Sequence, residues 1–306
     1  MPTAVGSRPG PEKYAWCGIL PALVVVALGA GSIELGAQSR GSGPSGAVPG
    51  PRAFRDSCTT RDLVGQFGFF GSGTVLASPV NGLAGPFARV GILIADGVGN
   101  LAFESQAAFN GIHFHQEVTG RYTMRPDCTF ISNLALKFDH PSIQPFTLQV
   151  TFLGILSDEG REMVDIFMEP PGVVIYGKAR KQGISRCGVR DLFGSYQLDL
   201  NGSTLDLGFP LPFTGGGRIE ADGNGNIKGQ GAFNSGGFPI PADISGSYTV
   251  ATNCTFEISY CVLAPDGRTC QRHYALHGAF LDEARAAYLI MTEPQSAVVL
   301  GNLKAQ

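Results

Sequence analysis

Two imidazoles and a carboxylate alternate along His113-Phe-His115-Gln-Glu117. Alternate residues of a strand share a face, so these three side chains would line up as metal ligands do. The other parity, Ile112, Phe114 and Val118, is apolar and belongs to a core. That turns the histidines to solvent, and no metal site is expected. A second candidate is Glu169 with its match Glu293, each followed by proline. Phe167 and Met291, two residues earlier, share the glutamates' face, and so does Asp165 in the first copy. On an interior face each carboxylate would sit above an apolar lining. Desolvation would raise its pKa and suit it to act as a catalytic acid or base, with Phe167 and Met291 touching the ligand. The plainer reading is a solvated Glu-Pro turn. The third candidate is Arg61-Asp62, which recurs as Arg190-Asp191. Its arginines would bind an anionic group, or its aspartates cap a turn. His273 and His277 share one strand face and have no equivalent earlier in the chain.

Most of these residues come in pairs because the chain is duplicated. Gly120-Arg-Tyr-Thr-Met-Arg-Pro-Asp-Cys-Thr-Phe130 returns as Gly246-Ser-Tyr-Thr-Val-Ala-Thr-Asn-Cys-Thr-Phe256. Asp96-Gly-Val-Gly-Asn100 returns as Asp222-Gly-Asn-Gly-Asn226, and Ala108-Phe109-Asn110 is matched with Ala232-Phe233-Asn234. A period of this length is a whole domain rather than a solenoid unit. The chain holds seven cysteines. Cys58 and Cys128 in the first copy correspond to Cys187 and Cys254 in the second, and Cys261 and Cys270 flank a Pro-Asp-Gly turn. The duplication therefore favours bridges 58–128, 187–254 and 261–270 among the many pairings six cysteines allow.

The elements that must position these residues read as strands. Short runs rich in Val, Ile, Phe and Tyr alternate with Gly, Asn, Asp and Pro, eight runs to a copy, and no long stretch of the mature region has a helical period. Eight sequential antiparallel strands remove their edges by closing. The expected fold is all-β, two tandem eight-stranded antiparallel barrels spanning 57–182 and 183–306, with a pair of β-sandwiches as the runner-up. Residues 1–40 carry Arg8 and Lys13 before an apolar run that includes Leu23-Val-Val-Val-Ala27, the layout of a signal peptide or an uncleaved N-terminal membrane anchor. Residues 41–56 read as a flexible linker. Export to the periplasm or the medium is the expectation, since disulfides persist in oxidising compartments. The alternative is an anchored protein with both barrels outside the cytoplasm.

Each copy combines an opening cysteine, a Pro-Phe strand, an Asp-Gly-x-Gly-Asn turn, Gly-x-Tyr-Thr, Cys-Thr and a closing Glu-Pro. In this it resembles exported bacterial repeat domains similar to allene-oxide-cyclase-like and dirigent-like barrels, within the wider calycin group. The resemblance implies eight-stranded barrels, and its motifs are turns and cysteines rather than catalytic groups. The leading functional expectation is a non-enzymatic exported protein that binds a small lipophilic molecule inside a barrel. The alternatives are a cyclase or isomerase acting on an enclosed hydrophobic substrate through Glu169 or Glu293, and a structural or surface-interaction module with filled barrels. No cofactor motif is present. Charged residues make up 15% of the chain and the formal net charge is −3, so no nucleic-acid partner is expected and a membrane is met only through the N-terminal segment. Oligomeric state is left open.

Overall fold

A computed structural model describes residues 57–306, apart from Pro79, Asn81 and Ser142. The signal and linker readings fall outside the described residues. Among those described, no helix is long and apolar enough to cross a membrane.

The first eight strands are β1 (Val64–Val75), β2 (Gly85–Asp96), β3 (Asn100–Phe109), β4 (Ile112–Met124), β5 (Thr129–His140), β6 (Ile143–Ser157), β7 (Glu162–Glu169) and β8 (Val173–Lys181). The next eight are β9 (Phe193–Thr204), β10 (Leu211–Asp222), β11 (Asn226–Ser235), β12 (Phe238–Val250), β13 (Thr255–Leu263), β14 (Cys270–Leu281), β15 (Ala286–Glu293) and β16 (Ala297–Ala305). Each set is an up-and-down antiparallel barrel, closed by β1 on β8 and by β9 on β16. The barrels expected from the strand count are thus the observed architecture, and sandwiches are not.

The repeated motifs are repeated closures. Asp96 turns the β2–β3 hairpin by accepting from the Val98 and Asn100 amides at 2.8 and 2.9 Å. Asp222 does the same for Asn224 and Asn226 at 2.7 and 3.0 Å. Tyr122 Oη donates toward the Thr60 and Leu63 carbonyls, and Tyr248 Oη toward those of Val189 and Leu192. Each tyrosine thereby ties a short 3-10 turn across one end of its barrel. Cys58–Cys128 and Cys187–Cys254 staple the same ends, while Cys261–Cys270 clamps the β13–β14 hairpin. These are the pairs the duplication indicates, and each long bridge closes a loop worth roughly 4 kcal/mol in the chain-entropy account.

One sequence match is out of step with the structure. Register pairs Arg89 with Ala107 in the first barrel and Gly215 with Phe233 in the second. Phe233 therefore corresponds to Ala107, not to Phe109. The hairpin turn at Asn110-Gly111 corresponds to Gly236-Gly237, two residues beyond where the Ala-Phe-Asn match places it.

The barrels pack wall to wall. The outer faces of β1–β3 meet those of β14–β16, burying Ala88, Val90, Ile92, Ala279, Leu281 and Ile290 in a core of their own. Phe70 stands edge-on to Tyr288, with ring centroids 4.8 Å apart. Gly68 lets the walls close, because a Cβ there would lie 2.6 Å from Leu281 Cδ2 and 2.7 Å from the Phe280 carbonyl. Arg180 reaches Asp282 at 2.9 Å, and Gln66 Nε2 donates to the Asn253 carbonyl at 2.7 Å.

Candidate functional site

The first barrel is hollow at one end. A cavity of about 440 Å³ opens where the β1–β2 loop, the β5–β6 hairpin and the Pro170-Pro171 turn converge. Its walls include Phe87, Phe109, Leu136, Phe138, Phe152 and Phe167. Side-chain alternation makes this surface, since the inward parity of β2, β3, β5, β6 and β7 carries the aromatics. The volume is in the range of small-molecule pockets.

Arg89 interrupts this apolar lining. It is 5% exposed, lies on the inward parity of β2 and borders both the cavity and a space of about 40 Å³ beyond it. Its guanidinium carbon lies 5.3 Å from the ring centroids of Phe87 and Phe103. Its Nη2 donates to Gln116 Oε1 at 2.5 Å. Burial lowers the guanidinium to about 10, partly offset by the nearby Asp165 charge, so it remains a cation at neutral pH. Asp165 faces the smaller space, and burial pushes its carboxyl up to about 6, with Arg89 pulling in the opposite sense. Ser105 and Ser132 complete a buried polar group.

The second barrel is filled at the matching positions. Gly215, Gly231, Ala242, Ile258 and Leu289 stand where Arg89, Ser105, Gln116, Ser132 and Asp165 stand in the first. The facing pair Leu134–Val150 becomes Tyr260–Tyr274. Phe233 stacks on both tyrosines with centroids 6.4 and 5.5 Å away. Gly215 is small because Phe233 takes its space; a Cβ at Gly215 would lie 2.6 Å from Phe233 Cδ1.

The residues singled out in the sequence divide accordingly. Phe167 lines the cavity, whereas Met291 is fully buried in the second core. Glu169 and Glu293 are exposed and do not share the face of Phe167 and Met291. The reason is a bulge in each strand. Phe152 pairs with Phe167 and Thr151 with Glu169, so Met168 is an extra residue that reverses the parity; Thr292 does the same before Glu293. The Glu-Pro peptide is cis in both copies. Arg61 and Arg190 are exposed and away from the cavity, while Asp62 and Asp191 accept from the Thr59 and Gly188 amides at 2.7 Å and so close the 3-10 turns. His113 and His115 do point out of the barrel. His113 meets the Ala297 carbonyl of the second barrel at 3.1 Å, and His115 lies near Glu104 and Glu117. No cluster of three or more metal-ligating side chains occurs among the described residues.

Glu293 acquires an unexpected setting. Its carboxylate is 2.8 Å from His273 Nδ1, and His273 Nε2 is 2.8 Å from Ser259 Oγ. The order is that of a nucleophile relay. Ser259, however, sits mid-strand between Ser247 and Ala275, where ladder bonds occupy the backbone N–H groups an oxyanion would need. Both His273 and Glu293 are about half exposed, so nothing there excludes water. The relay is a polar network on an outer wall. Arg89 and Gln116 were the residues sequence reasoning passed over, while Asp165, named there as sharing the face of Phe167, does face the interior. The available signal was a lone cation at the inward parity of the apolar run Pro86–Ala95, matched by glycine in the second copy.

No protein-family model and no curated protein sequence matches this chain. Among solved structures it is similar to the isotype 1 transferrin binding protein B of serogroup B Neisseria meningitidis, at 9% identity over 78% of this chain and 74% of that one, with a TM-score of 0.30. It is also similar to a protein of unknown function from the DUF3598 family of Nostoc punctiforme, at 8% identity over 80% and 97% of the two chains, with a TM-score of 0.21. Three disulfides fit an exported protein.

Proposed function

We propose that this is an exported binding protein whose first barrel holds a small lipophilic molecule and whose second barrel is its solid support. The observation that carries the reading is the 440 Å³ apolar cavity in one barrel, set beside the ring-filled interior of the other. A calycin-type barrel suits the role, because closure leaves an interior that either packs solid or encloses one ligand. Secretion or periplasmic residence, by a cleaved signal or behind a membrane anchor, is part of the same proposal. The cyclase or isomerase alternative gains no catalyst from Glu169 or Glu293, since neither carboxylate lines the cavity. The filled-module alternative describes the second barrel only.

The test is binding of the neutral fluorophore N-phenyl-1-naphthylamine to the purified full chain. Leu148 lines the cavity opposite Leu136, so Leu148→Trp should plug it. The expected result is saturable binding by the unaltered protein, weakened at least tenfold in the variant. Absence of binding, or binding indifferent to Leu148→Trp, would remove the reading.

A further inference from the structure

The polar end of the cavity says what kind of lipophile it takes. Arg89 Nε and the Gln116 amide nitrogen are buried N–H donors without an acceptor, and Ser105 Oγ is likewise unpartnered. Among the described residues, the only side-chain hydrogen bond of Arg89 is the one to Gln116. Leaving buried donors unmet costs about 1–3 kcal/mol each, more where the group is charged. The fold does not demand this cost. The second barrel closes with the same strand order and turns while carrying glycine, alanine and leucine at the places of Arg89, Gln116 and Asp165. A buried cation bordering an apolar chamber, with no ion pair of its own among the described residues, is complementary to an oxyanion on an apolar chain.

We propose that the first barrel binds an amphiphile with one anionic head, a medium-length alkyl carboxylate or its like, with its chain among Phe109, Phe138 and Phe152 and its head on Arg89. This rests on the lipophile-binding reading above and specifies its ligand class. The head meets the Arg89 guanidinium where it borders the chamber, and Gln116, accepting from Arg89 Nη2, positions that guanidinium from behind. The Asp165 carboxyl stands on the far side of Arg89, in the smaller space. The neutral fluorophore needs only the apolar part of the chamber.

The experiment displaces N-phenyl-1-naphthylamine from the full chain at pH 8 with dodecanoate or with dodecanol, which share a chain and differ in the head. The unaltered protein should prefer dodecanoate at least tenfold. In Arg89→Met the preference should vanish while the fluorophore still binds, and Arg89→Lys should restore part of it. If Arg89→Met does not fold, Gln116→Leu should reduce the preference several-fold, and the comparison in the unaltered protein already decides. Equal displacement by acid and alcohol overturns the anionic-head assignment yet leaves a lipophile site standing. A preference that survives Arg89→Met also overturns it. Failure of the fluorophore to bind removes both.

Discussion

The two barrels share their strand order, turns, corner tyrosines and staples, and they differ inside. The first keeps Arg89 opposite Ala107; the second puts Phe233 opposite Gly215. In both, one large residue faces one small residue across the same pair of strands. Moving the bulk from one strand to its neighbour, and changing its chemistry from cation to ring, separates a chamber from a solid core. The Tyr260–Tyr274 pair finishes the filling that Leu134–Val150 leaves undone. A closed eight-stranded wall therefore fixes the outline of the interior without fixing whether it is occupied.

Three measurements would break or sharpen this contrast. The largest effect belongs to Phe233→Ala, which removes the ring stacked on Tyr260 and Tyr274 and leaves Gly215 facing a void. Urea unfolding should show a loss of about 3–5 kcal/mol, as for buried rings elsewhere. Phe138→Ala, at a site that already borders empty space, should cost roughly half as much, since the depth of a new cavity sets the cost. Equal losses would mean that the first barrel is packed as tightly as the second.

A smaller effect follows from Asp165. Its native carboxyl lies at about 6, above the ordinary 3.8, so the folded chain holds that proton more tightly than the unfolded chain does. The resulting stabilisation is complete below about pH 4 and is lost as the pH rises through about 6, a change of up to roughly 3 kcal/mol. Asp96, Asp127, Asp222 and Asp266 have carboxyls lowered by turn hydrogen bonds and act in the opposite sense at lower pH. The difference between the unaltered protein and Asp165→Asn isolates the single group. That difference should slope between pH 4 and 6 and be flat above. Leu289, the counterpart in the second barrel, can contribute no such slope.

The smallest effect is expected from Glu169→Gln and Glu293→Gln. Both carboxylates are exposed on outer walls, and exposed ion pairs contribute about 0–1 kcal/mol. Unfolding midpoints and fluorophore binding should both stay close to those of the unaltered protein. A lost ligand site in Glu169→Gln would return the glutamate to the cavity mouth and undo the parity argument.

The parts legible in the sequence were those that local chemistry dictates. Asp-Gly-x-Gly-Asn names a hairpin because only certain residues tolerate its backbone, and the copied cysteines name their partners. The outward parity of His113 and His115 follows from Ile112, Phe114 and Val118. What stayed hidden depends on partners distant in sequence. The bulges at Met168 and Thr292 invert the face of each glutamate, and no residue type announces an extra residue in a ladder. The Ala108-Phe109-Asn110 match misled because two residues of slippage keep the same face, so parity could not expose the error. Arg89 passed unnoticed as one charge in a strand that is apolar on both sides.

That two-sidedness has a mechanical result. Ala88, Val90 and Ile92 press into the seam with the second barrel, while Phe87, Arg89 and Leu93 look the other way into the first. Strand β2 is thus braced from behind, and the guanidinium it carries is held in place before any guest arrives. Among the described residues, β5 and β6 on the other side of the chamber contribute nothing to that apolar seam. The wall that presents the cation to the chamber is thus the wall that the second barrel backs.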